Sequence, residues 1–305
     1  MVSKGNKKGI DKKTKWIIGV IAGLLAIIVG VIIVLMNPSA DTIFRAMNEE
    51  MLKVKSVTID QQFTMNDADG QTSSIKSTLF MDMNSSKVLN ATGNFDMSLV
   101  SGATPMTITG DLIKIGDSSY IKYSEFSSTG SSDAASFSAM ESKLKNNWIK
   151  VRDGDNFASF ASMPIEIATG VWPTPFANLD STQRKDMLTI LQDKRMYTIN
   201  ESSRVDVAGV SAYRYSLSFN EELYKKAAKA IAGYVSYFKS SDSESSESNI
   251  KNLTVWVNIA TKQIIKIEFD GSGTTGSGTI TFSGYNQTKT IEKPSDYSIE
   301  SELIN

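Results

Sequence analysis

The sequence predicts an α+β protein: one long antiparallel β-sheet interrupted by helices and preceded by a single transmembrane helix. Three observations predict it. Residues 16–36 read WIIGVIAGLLAIIVGVIIVLM without a charge, and about 20 apolar residues rising about 1.5 Å each cover the roughly 30 Å hydrocarbon layer of a bilayer. From Val57 onward, apolar residues alternate with polar ones in runs separated by short turn-forming clusters, the pattern of half-buried strands. Between those runs lie stretches with helical spacing, at 156–168, 180–194 and 221–238.

Taken in order, residues 1–15 form a basic tail. Six lysines against Asp11 give it a charge of +5, which leaves −6 on the remainder of a chain whose net charge is −1. The tail belongs on the cytoplasmic side by the positive-inside bias, with Trp16 at the headgroup level and residues 37–305 outside the cytoplasm. A cleaved leader has a shorter apolar core, about 7 to 15 residues, and a small-x-small cleavage site; Pro38-Ser39-Ala40 fits that poorly, so an uncleaved anchor is expected. Asp41-Thr42 can cap a short helix to about Val54 with Ile43, Phe44, Met47, Met51 and Leu52 on one stripe.

A meander follows. Val57, Ile59, Phe63 and Met65 alternate, a turn falls at Asp67–Gly70, and Ile75, Leu79, Met81 and Met83 alternate in turn. The stretch LFMDMNSSKVLNATGNFDM, 79–97, then doubles back at Asn84-Ser85-Ser86 and keeps Leu79, Met81, Met83, Leu89, Phe95 and Met97 on one face. Met106 and Ile108 continue that face, and a further hairpin turns at Gly116-Asp117. A polar loop at 127–133, a helix at 134–146 and a short strand at Trp148–Val151 lead into the helical middle, where Asp180 and Gln183 have capping-box spacing. Strands return at 197–207 and 212–219, turning at Ala208-Gly209; a helix at 221–238 and a solvated linker, SSDSESSES, precede three last strands, LTVWVNI, QIIKIEFD and GTITFSGY.

Cysteine and histidine are both absent, which removes disulfides, thiolate nucleophiles, Cys/His zinc sites and imidazole bases together. No metal and no cofactor is expected, and the acidic main body disfavours nucleic acid. GSGTTG at 271–276 has the G-x-G-x-x-G form, but the alternating TITFSGY after it is a strand rather than the helix a dinucleotide needs. NDADG at 66–70 puts Met65 where a calcium loop places its first ligand. Ser142 and Lys145 have S-x-x-K spacing but lack the companion elements of a serine acyl-enzyme. Glu221-Glu222 begin a helix, where acids complement the macrodipole.

The methionines remain. Methionine packs adaptably and recurs on surfaces that accept varied apolar partners, so the dry face reads either as core filled by the middle helices or as the lining of a hydrophobic cavity. On the residues GDSSYIKY, NNWIKV, VDVAGVSAYRYSLSF, LTVWVNIATKQIIKIEFD and TIEKPSDY, spread across about 41–300, the chain resembles the LolA-like superfamily, and within it LppX/LprG-type envelope lipoproteins. The resemblance implies a curved, half-barrel antiparallel sheet of about eleven strands wrapping helices. It also implies a non-catalytic function: binding an acyl lipid or other hydrophobic ligand, with Phe63, Met65, Leu79, Met81, Met83, Phe95, Met97 and Met106 as cavity lining. Those relatives carry a lipobox cysteine or a cleaved signal, whereas this chain has no cysteine and a spanning segment. An envelope sensor or protein-interaction module of the same fold, with no bound ligand, is the alternative.

Overall fold

The computed structural model describes residues 38–66, 71–85, 88–101, 104–128, 142–152, 158–169, 175–237, 250–271 and 276–299. The expected basic tail, the spanning segment at 16–36, most of the expected helix at 134–146 and the linker at 240–248 lie outside these residues. No helix among the described residues is long and apolar enough to cross a membrane. The chain divides into the units Met1–Thr42 and Ile43–Asn305, and the architecture below is that of the second.

Helix α1, Ala40–Met51, buries Ile43, Phe44, Met47, Asn48 and Met51. Its start differs from the expectation: the Ser39 hydroxyl accepts from the Thr42 N–H at 3.2 Å, so Ser39 rather than Asp41 serves as the cap. Five strands follow in a meander: β1 (Ser56–Asn66), β2 (Thr72–Ser85), β3 (Val88–Ser101), β4 (Thr104–Ile115) and β5 (Ser118–Ser128). After β6 (Trp148–Val151) come helices α2 (Ala158–Thr169) and α3 (Ser181–Leu191), then β7 (Tyr197–Val207), β8 (Val210–Phe219) and helix α4 (Glu221–Tyr234). Strands β9 (Ile250–Asn258), β10 (Ile264–Gly271), β11 (Ser277–Ser283) and β12 (Ser298–Ile299) complete the chain.

All twelve strands join one sheet in the order β12-β6-β5-β4-β3-β2-β1-β11-β10-β9-β8-β7. Every pairing is antiparallel except β12 with β6. The sheet is open, and β11 slots beside β1, so the beginning and end of the domain meet at its centre. With each strand rotated roughly 20–25° on its neighbour, a sheet this wide curves, and the helices sit on its dry side, the expected α+β arrangement. The twelfth strand, a two-residue piece beyond the eleven implied by the resemblance, forms because the chain after β11 returns along the other side. There Lys55 N–H donates to Asn286 Oδ1 (2.8 Å), the Lys289 ammonium lies 5.7 Å from the Phe80 ring, and Tyr297 meets Tyr120 edge to face at 5.1 Å.

Two helix ends show how local sequence sets boundaries. Asp180 accepts from Thr182 and Gln183 N–H at 2.8 and 2.9 Å while Gln183 Oε1 accepts from Asp180 N–H at 3.2 Å, the expected capping box. Helix α4 was expected to reach 238 but ends at Tyr234, where Val235 is extended and buried. A β-branched residue with an apolar contact to make leaves the helix readily. Strands β10 and β11, on either side of the G-x-G-x-x-G stretch, pair antiparallel, with Gly276 at φ 72°; residues 272–275 of that stretch lie outside the described residues.

A candidate ligand-binding face

Strand pairing arranges the inner face in rows that cross the sheet. One runs Leu253–Phe269–Gly278–Phe63–Ile75–Met97–Ile108–Phe126 from β9 to β5. Another runs Phe282–Ile59–Leu79–Gly93–Leu112–Ile121–Ile149 from β11 to β6. Both are apolar throughout. Gly278 lets the rings of Phe63 and Phe269 come within 5.5 Å of each other, because a Cβ there would lie 2.7 Å from both. A bulge between Thr109 and Gly110 turns both Tyr123 and Phe126 inward, where Tyr123 meets Phe95 at 6.4 Å and Phe126 at 5.9 Å.

The row between these two is different. It reads Tyr215–Val255–Ile267–Ile280–Gln61–Ser77–Phe95–Gly110–Tyr123, and its centre is polar. Gln61 and Ser77 are 4% and 5% exposed. Gln61 Nε2 donates to Ser77 Oγ and to the Pro164 carbonyl, each at 2.7 Å, while Gln61 Oε1 has no partner among the described residues. Pro164 lies within α2, which packs against β2 and β5 and buries Pro164, Ile165, Ala168 and Thr169.

Of the residues expected to line a cavity, Leu79, Met81, Met83 and Met97 are fully buried, and Phe63 and Phe95 are buried on the same face. Met65 and Met106, near strand ends, are half-buried. Met47 and Met51 of α1, Met187 of α3 and Met196 are buried as well. Side chains this fully covered touch protein on all sides, so any guest would have to displace what covers them. Gln61 and Ser77 escaped the sequence reading, although the signal was visible: both stand at inward positions in strands whose other inward residues are apolar.

The other half of the face is covered by α1. Phe44 meets Tyr215 at 5.3 Å and Tyr197 at 5.8 Å, both edge to face. Ala177 and Leu179 N–H donate to the Met51 and Leu52 carbonyls at 3.0 and 3.1 Å, and Phe176 meets Phe282 of β11 at 5.9 Å. Burial, with Tyr224 nearby, pushes the Tyr197 hydroxyl well above its ordinary pKa, and the hydroxyl has no hydrogen-bond partner among the described residues. Asn48 is fully buried, and neither of its amide atoms has a partner among the described residues.

The outer face is polar. Its middle row is Arg214–Trp256–Lys266–Thr281–Asp60–Thr78–Asn94–Asp111–Lys122, and two shallow depressions of about 310 Å³ each lie beside it around Gln62 and Thr279. This is the solvated side expected of an antiparallel sheet. Ser142 and Lys145 are both exposed.

No protein-family model and no curated protein matches the chain. Solved structures to which it is similar include LprF from Mycobacterium bovis, 12% identical over 85% of this chain and 99% of that one with a TM-score of 0.45. A LolA superfamily protein from Nitrosomonas europaea is 8% identical over 83% of this chain and 96% of its own, with a TM-score of 0.21. In the MucA/MucB complex of Pseudomonas aeruginosa the match is 9% identical, covers 80% of this chain and 55% of that chain, and has a TM-score of 0.29.

Proposed function

We propose that the protein is a single-pass, membrane-anchored extracytoplasmic domain that binds a lipid or other hydrophobic ligand at the inner face of its sheet and carries out no catalysis. The observation that carries the reading is the inner face itself. Two rows are apolar from end to end, Met81, Met83 and Met97 lie fully buried on it, and its cover consists of helices rather than a second sheet. A helix can leave a sheet without breaking backbone pairing between strands, and methionine side chains repack around varied shapes. The apolar segment at 16–36 supports the anchor and, with the lysines before it, the orientation.

The test uses the full-length protein in phospholipid vesicles containing a phospholipid with a photoreactive diazirine in its acyl chain. Illumination is expected to label peptides from β2 and β3, around Met81, Met83 and Met97, in addition to the segment at 16–36. Labelling confined to 16–36 overturns ligand binding by the outer domain. A stoichiometric protein crosslink together with that confined pattern would establish an interaction module instead.

A further inference from the structure

The inner face carries a polar pair where apolar residues surround it on every neighbouring position, and one atom of that pair is unmatched. We infer that Gln61 and Ser77 anchor the polar end of the ligand, and that this ligand is an apolar chain terminating in a hydrogen-bond donor, a hydroxyl or an amide N–H. The inference rests on the ligand-binding reading above and adds the chemistry of what is bound.

The orientation of the Gln61 amide follows from its partners. The Pro164 carbonyl can only accept, so the amide nitrogen must face it, and the same nitrogen reaches Ser77 Oγ. Both N–H groups are thereby used, and Oε1 has no donor among the described residues, in a place from which solvent is excluded. A buried acceptor left unmet carries its full desolvation penalty, so whatever brings it a donor is favoured. Water is a poor candidate, because a buried water needs two to four polar partners and the flanking inward residues are Ile280, Phe95, Ile59, Phe63 and Leu79. A donor attached to a hydrocarbon chain satisfies both demands. Its chain takes the place of the apolar side of α2, where Ile165 and Ala168 now lie, and its donor meets Oε1.

Pro164 makes the exchange feasible. A proline inside a helix lacks the N–H that would bond the carbonyl four residues earlier and weakens the helix there, and it is the carbonyl of this same residue that holds α2 to Gln61. When α2 moves away, the amide gains a free N–H beside its free oxygen, so a ligand hydroxyl can donate to one and accept from the other.

The experiment compares two probes on the full-length protein in phosphatidylcholine vesicles: a long-chain alcohol bearing a diazirine in mid-chain, and the methyl ether of the same alcohol. They differ by one donor. In the wild-type protein the alcohol is expected to label inner-face peptides about tenfold more than the ether, the value of roughly one well-made hydrogen bond. In Gln61→Met, which keeps the length and removes the amide, the ratio is expected to approach one. Gln61→Asn, which withdraws the amide by one methylene, is expected to give an intermediate ratio, and the wild-type ratio stands without any variant. Equal labelling by both probes in the wild type overturns the anchor while leaving hydrophobic binding in place. An undiminished preference in Gln61→Met also overturns it. Absence of inner-face labelling by either probe overturns the ligand-binding reading and the anchor with it.

Discussion

Helices α1 and α2 cover the same sheet face by different means. Helix α1 stands among aromatic rings, with Phe44 between Tyr197 and Tyr215, and its C-terminal turn is bound through the backbone to residues 177 and 179. Tyr285 adds a hydroxyl contact to Met51 Sδ at 3.8 Å while donating to the Ile264 carbonyl. Helix α2 has a proline at its centre and reaches the sheet through the amide of Gln61. One cover is held by large apolar surfaces, and the other by a neutral polar bond across a weakened helix. On the proposed ligand-binding reading the domain would open on the α2 side: large apolar contacts are lost only at high cost, whereas a buried hydrogen bond contributes about 1 kcal/mol net and is more readily exchanged.

The largest expected effect is on the α1 side. Phe44→Ala should destabilise the domain by about 3–5 kcal/mol, since it removes a buried ring and two edge-to-face contacts. Urea unfolding followed by far-ultraviolet circular dichroism measures it. A loss under about 1 kcal/mol would mean that α1 is not the firmer cover.

Pro164→Ala sharpens the comparison from the other side. Restoring the missing rung should stabilise α2 locally by about 1–3 kcal/mol, somewhat offset by lost ring packing. Amide hydrogen exchange reads it directly: in the wild type α2 is expected to exchange faster than α1, and in the variant the gap should narrow. Equal protection of the two helices in the wild type would break the comparison outright. Asn48→Leu is expected to raise stability by about 1–2 kcal/mol, because it replaces a buried amide with two unmet groups by an apolar side chain of similar volume.

The same comparison explains what was legible in the sequence. Alternation announced the meander and the inward set Phe63, Leu79, Met81, Met83, Phe95 and Met97, because strand periodicity is a local property. The capping box at Asp180 was equally local. The insertion of β11 beside β1 was not visible, since it joins residues more than 200 positions apart, such as Ile59 and Phe282, and no short-range pattern encodes it. The polar break at Gln61 and Ser77 was present in the alternation, but its meaning depends on the Pro164 carbonyl, 103 residues away. Asn48 shows the converse: it lies on the apolar stripe of α1 by spacing, and only the fold reveals that both of its amide atoms go unpartnered.

The smallest expected effect separates the two covers by pH. Tyr197, against Phe44 of α1, has its hydroxyl pKa raised by burial and by Tyr224, while an unfolded tyrosine titrates near 10. The sign follows from linkage: the raised pKa contributes no loss below about pH 10, and stability falls as pH rises above the unfolded value toward the folded one. Tyr197→Phe should therefore leave neutral-pH stability within about 1 kcal/mol of wild type or slightly above it, because the hydroxyl has no partner to lose. The variant should also flatten the alkaline decline in urea midpoint. The pair that holds α2, an amide on a proline carbonyl with a serine beside it, contains nothing that ionises, so exchange protection in α2, corrected for the intrinsic rate, should stay level over the range in which that of α1 falls. A parallel fall in both helices would show that the two covers open as one unit.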